Sequence, residues 1–181
     1  MALRTPPSWQ QNASHPAEND RLSTQGFWRT TGVMKNTDLA VTANGTPNMS
    51  VNVAAGWAAI VGNYTTNMGT YQCYNDGVTN VLIAPADPSN PRIDLVCMTV
   101  SDSYYTGSLN QVAFNVVTGV PSVTPAVPAT PTNSIVLARV AVGAGAVSIT
   151  SGNITDVRVV ATTPIDVDLS SVETAIFMQA Y

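Results

Sequence analysis

The stretch from Pro91 to Val100, PRIDLVCMTV, limits the fold more than any other part of the chain. Read as an extended segment, it puts Arg92 and Asp94 on one side, followed on that side by Val96, Met98 and Val100. Ile93, Leu95, Cys97 and Thr99 run along the other. A strand that is apolar on both faces beyond two charges at its start belongs in the middle of a sheet or barrel, and the remaining apolar segments must pack on it.

The remaining segments are short and regularly interrupted. Leu39 and Val41 alternate up to a turn at Asn44-Gly45, and Met49, Val51 and Val53 alternate up to Ala55-Gly56. Trp57 to Val61 follows, then a polar loop over 62–69 carrying Tyr64, then Thr70 to Tyr74, a turn at Asn75-Asp76-Gly77, and Val78 to Ala84. After the central stretch and a loop with Tyr104 and Tyr105 come Val112, Phe114 and Val116. Ser134 to Val142 reads as a strand with Ile135 and Leu137 on one face and Val136, Ala138, Val140 and Val142 on the other. Val147 with Ile149 reads as a short strand, and Asn153 to Val160 as the closing one. Turn signals about eight to twelve residues apart predict an all-β domain over 38–163, an antiparallel β-sandwich or barrel. Between the strands, prolines at 121, 125, 128 and 131 forbid ladder donation over 118–133 and predict a stiff, extended crossing of the sheet surface.

The two ends differ from this domain. Residues 1–37 lack a sustained period and read as an extended N-terminal arm, whose large aromatics Trp9, Phe27 and Trp28 need a burial site on the parent domain or a neighbouring subunit. In the tail, 164–181, Ser170 to Glu173 fits a capping box, and Leu169, Val172 and Ile176, with Phe177 beside them, recur at helical spacing. One short C-terminal helix is expected there, docked on a subunit partner or on the home domain because it is too short to stand alone. Trp9, Phe27, Trp28, Val172, Ile176 and Phe177 are therefore the candidate subunit-interface residues.

Charge is scarce. Charged residues make up 10% of the chain, against roughly 25% in an average soluble protein. The formal net charge of -4 provides no basic patch for phosphates, so nucleic acid is not an expected partner. No apolar run approaches the ~20 residues of a membrane span, and no apolar core follows Arg4, so neither membrane insertion nor a secretory signal is expected. Cys73 and Cys97 have no paired spacing and read as free, buried thiols, and the Asn-x-Ser/Thr sequons read as chance in so Asn- and Thr-rich a chain.

The few charges set inside strands, Arg92, Asp94, Arg139, Asp156 and Arg158, are expected to form structural ion pairs, since charges there are seldom buried unpaired. His15, in the arm, is the sole histidine, so no catalytic triad or metal cluster is expected, and Gly143-Ala144-Gly145 precedes a strand rather than a helix. No catalytic residue, cofactor or metal is predicted. Tyr64, Tyr71, Tyr74, Tyr104 and Tyr105 would make a sugar-stacking surface if loops bring them together, with Tyr64, Tyr104 and Tyr105, on loops, as the candidate glycan contacts and scattered edge tyrosines as the plainer reading.

The runs PNMSVNVAAGWAAIVG, NPRIDLVCMTVSD, VVTGVPSVTPAVPATPTNSIVLARVAVGAGAVSIT and NITDVR, in that order over roughly residues 5–160, resemble the N-terminal module of minor tail and baseplate proteins of long-tailed phages infecting Actinobacteria. The resemblance implies a β-rich virion module at the tail tip or baseplate, assembled in the host cytoplasm and joined to other tail proteins. It implies an oligomer, and the expected state is a homo-oligomer, with a trimer preferred. The end of the chain at Tyr181 favours an adaptor or attachment module over a long receptor-binding fibre. The alternatives are a carbohydrate-binding module that touches cell-wall glycan of the host envelope, and a capsid-surface fibre or decoration protein.

Overall fold

The computed structural model of the protein describes residues 16–163. The central stretch forms β7 (Arg92–Ser101), paired antiparallel with β8 (Gln111–Val117) on one side and β9 (Ser134–Val142) on the other. The short β10 (Ile154–Asp156) extends the far side of β9, giving the order β10-β9-β7-β8. Leu95, Val96, Cys97 and Met98 are all buried, as a strand covered on both faces requires.

The reading of β9 as a strand with two separate faces is corrected. Ile135 and Leu137 are buried in the same core cluster as Val140 and Val142, although their positions differ in parity. The pairing explains this: Val96 lies opposite Ala138 while Cys97 lies opposite Val136, so Leu137 is an extra residue in the ladder. Such a bulge re-phases the strand, so residues that alternate in sequence face one core.

Two further antiparallel sheets complete the fold. β3 (Ser50–Val53) lies between β2 (Val41–Ala43) and β6 (Thr79–Leu82), and β4 (Gly56–Val61) lies between β1 (Gly32–Val33) and β5 (Thr70–Asn75). All three sheets feed one apolar cluster, from Val33 and Ile60 through Val51, Val53 and Val81 to Val96, Met98 and Val140. Among the described residues the fold is therefore all-β, in three antiparallel sheets with one short α-helix.

Residues 118–133 carry neither helix nor strand. Val117 lies opposite Leu95 and Ser134 opposite Thr99, so this connection returns along β7 from one end to the other. It is anchored at both: Ser122 N donates to Pro91 O at 3.0 Å, and Val100 N donates to Asn133 O at 3.0 Å.

Several expectations fail locally. Residues 16–37, expected as part of an extended arm, hold the helix α1 (Ala17–Gln25) and the sheet strand β1. The sequence AENDRLSTQ has no apolar stripe, so periodicity could not reveal the helix. Its backbone instead lies directly on Gly69, where a Cβ would come 2.4 Å from the Arg21 carbonyl carbon, and acidic Glu18 and Asp20 suit its first turn. Val147 and Ile149 form no strand; Ile149 is buried and its amide donates to Asn48 O at 2.9 Å. Of the expected closing strand only Ile154–Asp156 joins the β9 ladder, and Val160 instead makes a parallel bridge to Val33. Trp9, Val172, Ile176 and Phe177, with the expected C-terminal helix, lie outside the described residues.

Candidate functional site

Where β7 ends, Asp102 shapes the turn towards β8. Its carboxylate Oδ1 accepts the Tyr104 amide at 3.0 Å, and its carbonyl accepts the amides of Tyr105 and Thr106. This is the self-bonded turn that aspartate favours. The other carboxylate oxygen, Oδ2, accepts the Tyr71 hydroxyl at 2.7 Å and lies 3.6 Å from Arg21 Nη1.

Arg21 projects from α1 into this turn and uses its whole fork. Nε donates to Met68 O and Nη2 to the Tyr105 hydroxyl, both at 2.9 Å, while the guanidinium carbon lies 5.0 Å from the Tyr71 ring centre and 5.5 Å from that of Tyr105. A planar, always-charged group that bonds and stacks at once is what arginine offers and lysine does not. Burial, then the hydrogen bond to Asp102, push the Tyr71 hydroxyl well above the ordinary tyrosine range, with Arg21 opposing. Tyr71 thus keeps its proton, and Asp102 is engaged by both partners.

Beside this cluster opens a cavity of about 600 Å³, walled by the start of α1, by Tyr71, Gln72 and Cys73 of β5, and by the β7–β8 turn. Tyr104 stands at its mouth, 78% exposed, with its ring edge-on to Tyr105 at 5.0 Å. The exposed amide side chains of Gln72, Asn110 and Gln111 line it. Burial pushes the Cys73 thiol up to about 11, so it is a neutral wall group at physiological pH.

A smaller hollow of about 220 Å³ shares Val112 with this cavity and is lined by Tyr74, Thr79 and Phe114 among others. Tyr74 is the cross-strand neighbour of Trp57, the rings are 4.9 Å apart and inclined by 31°, and both are about half exposed, at 58% and 48%. Gln72 and Tyr74, two apart on β5, project from the same face. The two hollows, joined at Val112, lie between Tyr104 and Tyr74 as a trough, with Trp57 beside Tyr74 but lining neither hollow.

Of the tyrosines singled out in the sequence, Tyr71 and Tyr105 meet on Arg21, Tyr104 packs on Tyr105, and Tyr74 lines the smaller hollow. Tyr64 is exposed but does not line either hollow. Arg92 with Asp94 and Asp156 with Arg158 form ion pairs as expected. Arg139 does not: it is exposed on β9 and pairs with no acid among the described residues, since its side of the bulged strand faces solvent. Phe27 is 56% exposed and Trp28 half-buried, with its carbonyl accepting the Thr70 hydroxyl at 2.9 Å.

Sequence reasoning missed Arg21, Asp102 and the amides. The Asp102 turn has a local signature; Arg21 and Tyr105, 84 residues apart, have none. Among the described residues, no three acidic, histidine or cysteine side chains gather as a metal group, and no helix is long and apolar enough to cross a membrane. No protein-family model, curated protein or solved structure matches the chain.

Proposed function

We propose that the protein is a structural module of a phage tail tip or baseplate, an oligomeric adaptor built on a β-sandwich. The sandwich reading is supported by β2 lying against β10 and β6 against β8, which aligns the edges of two sheets around the shared core. The functional reading rests on the sequence wording that resembles such modules, and on one structural observation.

That observation is how the two ends of the described chain meet. Val33 exchanges backbone bonds with Val159 and Ala161, Arg29 N donates to Thr162 O at 3.1 Å, and Thr162 N donates to the Thr30 hydroxyl at 2.8 Å. Gly32 permits this crossing, since a Cβ there would lie 2.4 Å from Ala161 N. Exposed Phe27, Val159 and Val160 accompany these segments. An edge that gathers both terminal segments and exposed apolar side chains suits attachment to neighbouring subunits.

Light scattering on the purified chain tests this reading, together with immunogold imaging of particles. A discrete oligomer, weakened by Phe27→Asp, and label at the tail tip are expected. A compact monomer at high concentration, with no label on particles, would sink the proposal.

A further inference from the structure

We infer that the trough between Tyr104 and the Tyr74–Trp57 pair is a binding site for an uncharged, linear glycan. The inference rests on the lining and is independent of the assembly reading above, so its failure would leave that reading standing.

The trough's shape and edges come first. β5 and β8 are each paired on one side only, with β4 and β7, so the two strands flank the trough without closing it. Its length carries aromatic rings at both ends, exposed Tyr104 at one and the paired Tyr74 and Trp57 at the other. Between them the lining offers three neutral amides, Gln72, Asn110 and Gln111, beside Ser101 and one further carboxylate, Glu18.

Charge then decides among ligands. The cation at the site, Arg21, is held by Asp102, Tyr105 and Met68, so it is not offered to a phosphate, sulfate or carboxylate. Asp102 is likewise held by Arg21 and Tyr71, so it is not offered to a cation, and Glu18, half-buried at the start of α1, adds only repulsion toward an anion. A purely apolar ligand would leave the amides unsatisfied on binding, which costs free energy. A pyranose chain matches both parts of the lining: its C–H faces pack on aromatic rings, and its hydroxyls donate to and accept from amides. Aromatic rings at the two ends of the trough suit a chain of repeating units better than a single sugar.

The test titrates the isotope-labelled 181-residue chain with cellohexaose, maltohexaose, laminarihexaose and mannohexaose, followed by amide chemical shifts and calorimetry. At least one of these shifts the amides of Gln72, Tyr74, Tyr104 and Gln111 together. Tyr104→Ala and Gln72→Ala each weaken that binding by about tenfold. Both positions are exposed, so the variants keep the parent circular dichroism spectrum, and Tyr64→Ala binds as the parent does. Binding of none of the four overturns the proposal, as does binding that survives both substitutions. Were an extended peptide or a polyanionic oligosaccharide to shift these amides while the neutral hexaoses did not, the assignment of ligand class would be wrong.

Discussion

Arg92 and Asp94, two residues apart on one face of β7, form a fully desolvated ion pair: Nε donates to Oδ1 at 2.9 Å, and the side chains are 3% and 0% exposed. The further hydrogen bonds of both side chains also point inward. Arg92 also donates to the carbonyls of Ala84 and Pro85, and Asp94 Oδ1 accepts the Gly119 amide at 2.9 Å. The pair therefore joins the segment before β7 and the start of the proline-rich crossing to the central strand. Its net contribution to stability is small, because burial of both charges offsets most of their attraction; its effect is to fix where these segments sit.

Removing one member strands the other. Arg92→Met or Asp94→Leu alone should destabilise the fold by about 3–5 kcal/mol, whereas the double variant should lose much less than the sum. Urea denaturation of the two single variants and the double variant measures the coupling. Additive losses would show that the pair does not act as a unit.

Arg21 holds α1 to the body. Arg21→Lys should already loosen it, since lysine cannot bond Met68 O and the Tyr105 hydroxyl while facing Asp102. Arg21→Ala should cost about 2 kcal/mol. Hydrogen exchange should quicken over 17–25 and stay unchanged in β7; unchanged exchange in α1 would contradict the anchoring role.

The second ion pair is unequal. Arg158 is 10% exposed and also donates from Nη1 to the Asp38 carbonyl, while Asp156 is 59% exposed. Its hydrogen bonds to Arg158 hold the Asp156 carboxyl below its ordinary range. The stability this provides is present above that ordinary range and is lost as pH falls through the lowered value, but solvent screening keeps it small. Asp156→Ala should cost under about 1 kcal/mol, Arg158→Ala clearly more, and Arg139→Ala within about 0.5 kcal/mol of nothing. Thermal melts of the three variants rank them.

Gly119 is irreplaceable for steric reasons. A Cβ there would fall 2.1 Å from Ile93 O, so Gly119→Ala must push the crossing off β7. A loss of about 2 kcal/mol or more is expected. Gly45, with nothing within 4 Å of its Cβ position, is the control. Gly45→Ala should leave the melting temperature unchanged or slightly raised.

Cys73 and Cys97 are free and buried, and burial pushes both thiols up to about 11 from 9.0. The unfolded chain ionises first as pH rises, so stability is intact below the ordinary thiol value of 9.0 and falls as pH climbs through about 11. The raised Tyr71 hydroxyl deepens this loss at still higher pH. Denaturation midpoints measured from neutral pH upward check the sign. An aromatic disulfide reagent should label both thiols quickly in denaturant and slowly without it.

The strands could be read from the chain because their information is local. Alternation at Val51 and Val53, turns at Asn44-Gly45 and Asn75-Asp76-Gly77, and the doubly apolar 91–100 stretch each state an extended segment within a few residues. So do the prolines at 121, 125, 128 and 131, which cannot donate to a ladder in any fold. The pairing of Arg92 with Asp94 was equally legible, since period-two geometry puts them on one face.

What the residues could not state was decided where distant segments meet. The bulge at Leu137 was hidden because both faces of β9 are apolar, so no alternation marked the change of phase. Helix α1 carries no apolar stripe and is held instead by Gly69 beneath its backbone and by Arg21 across to Asp102. Gln72, Tyr74, Tyr104 and Gln111 become one trough only because β5 and β8 sit at facing sheet edges. Local sequence sets backbone preference and burial of each segment; the contacts that make a site depend on loop closure and sheet order, which no local pattern encodes.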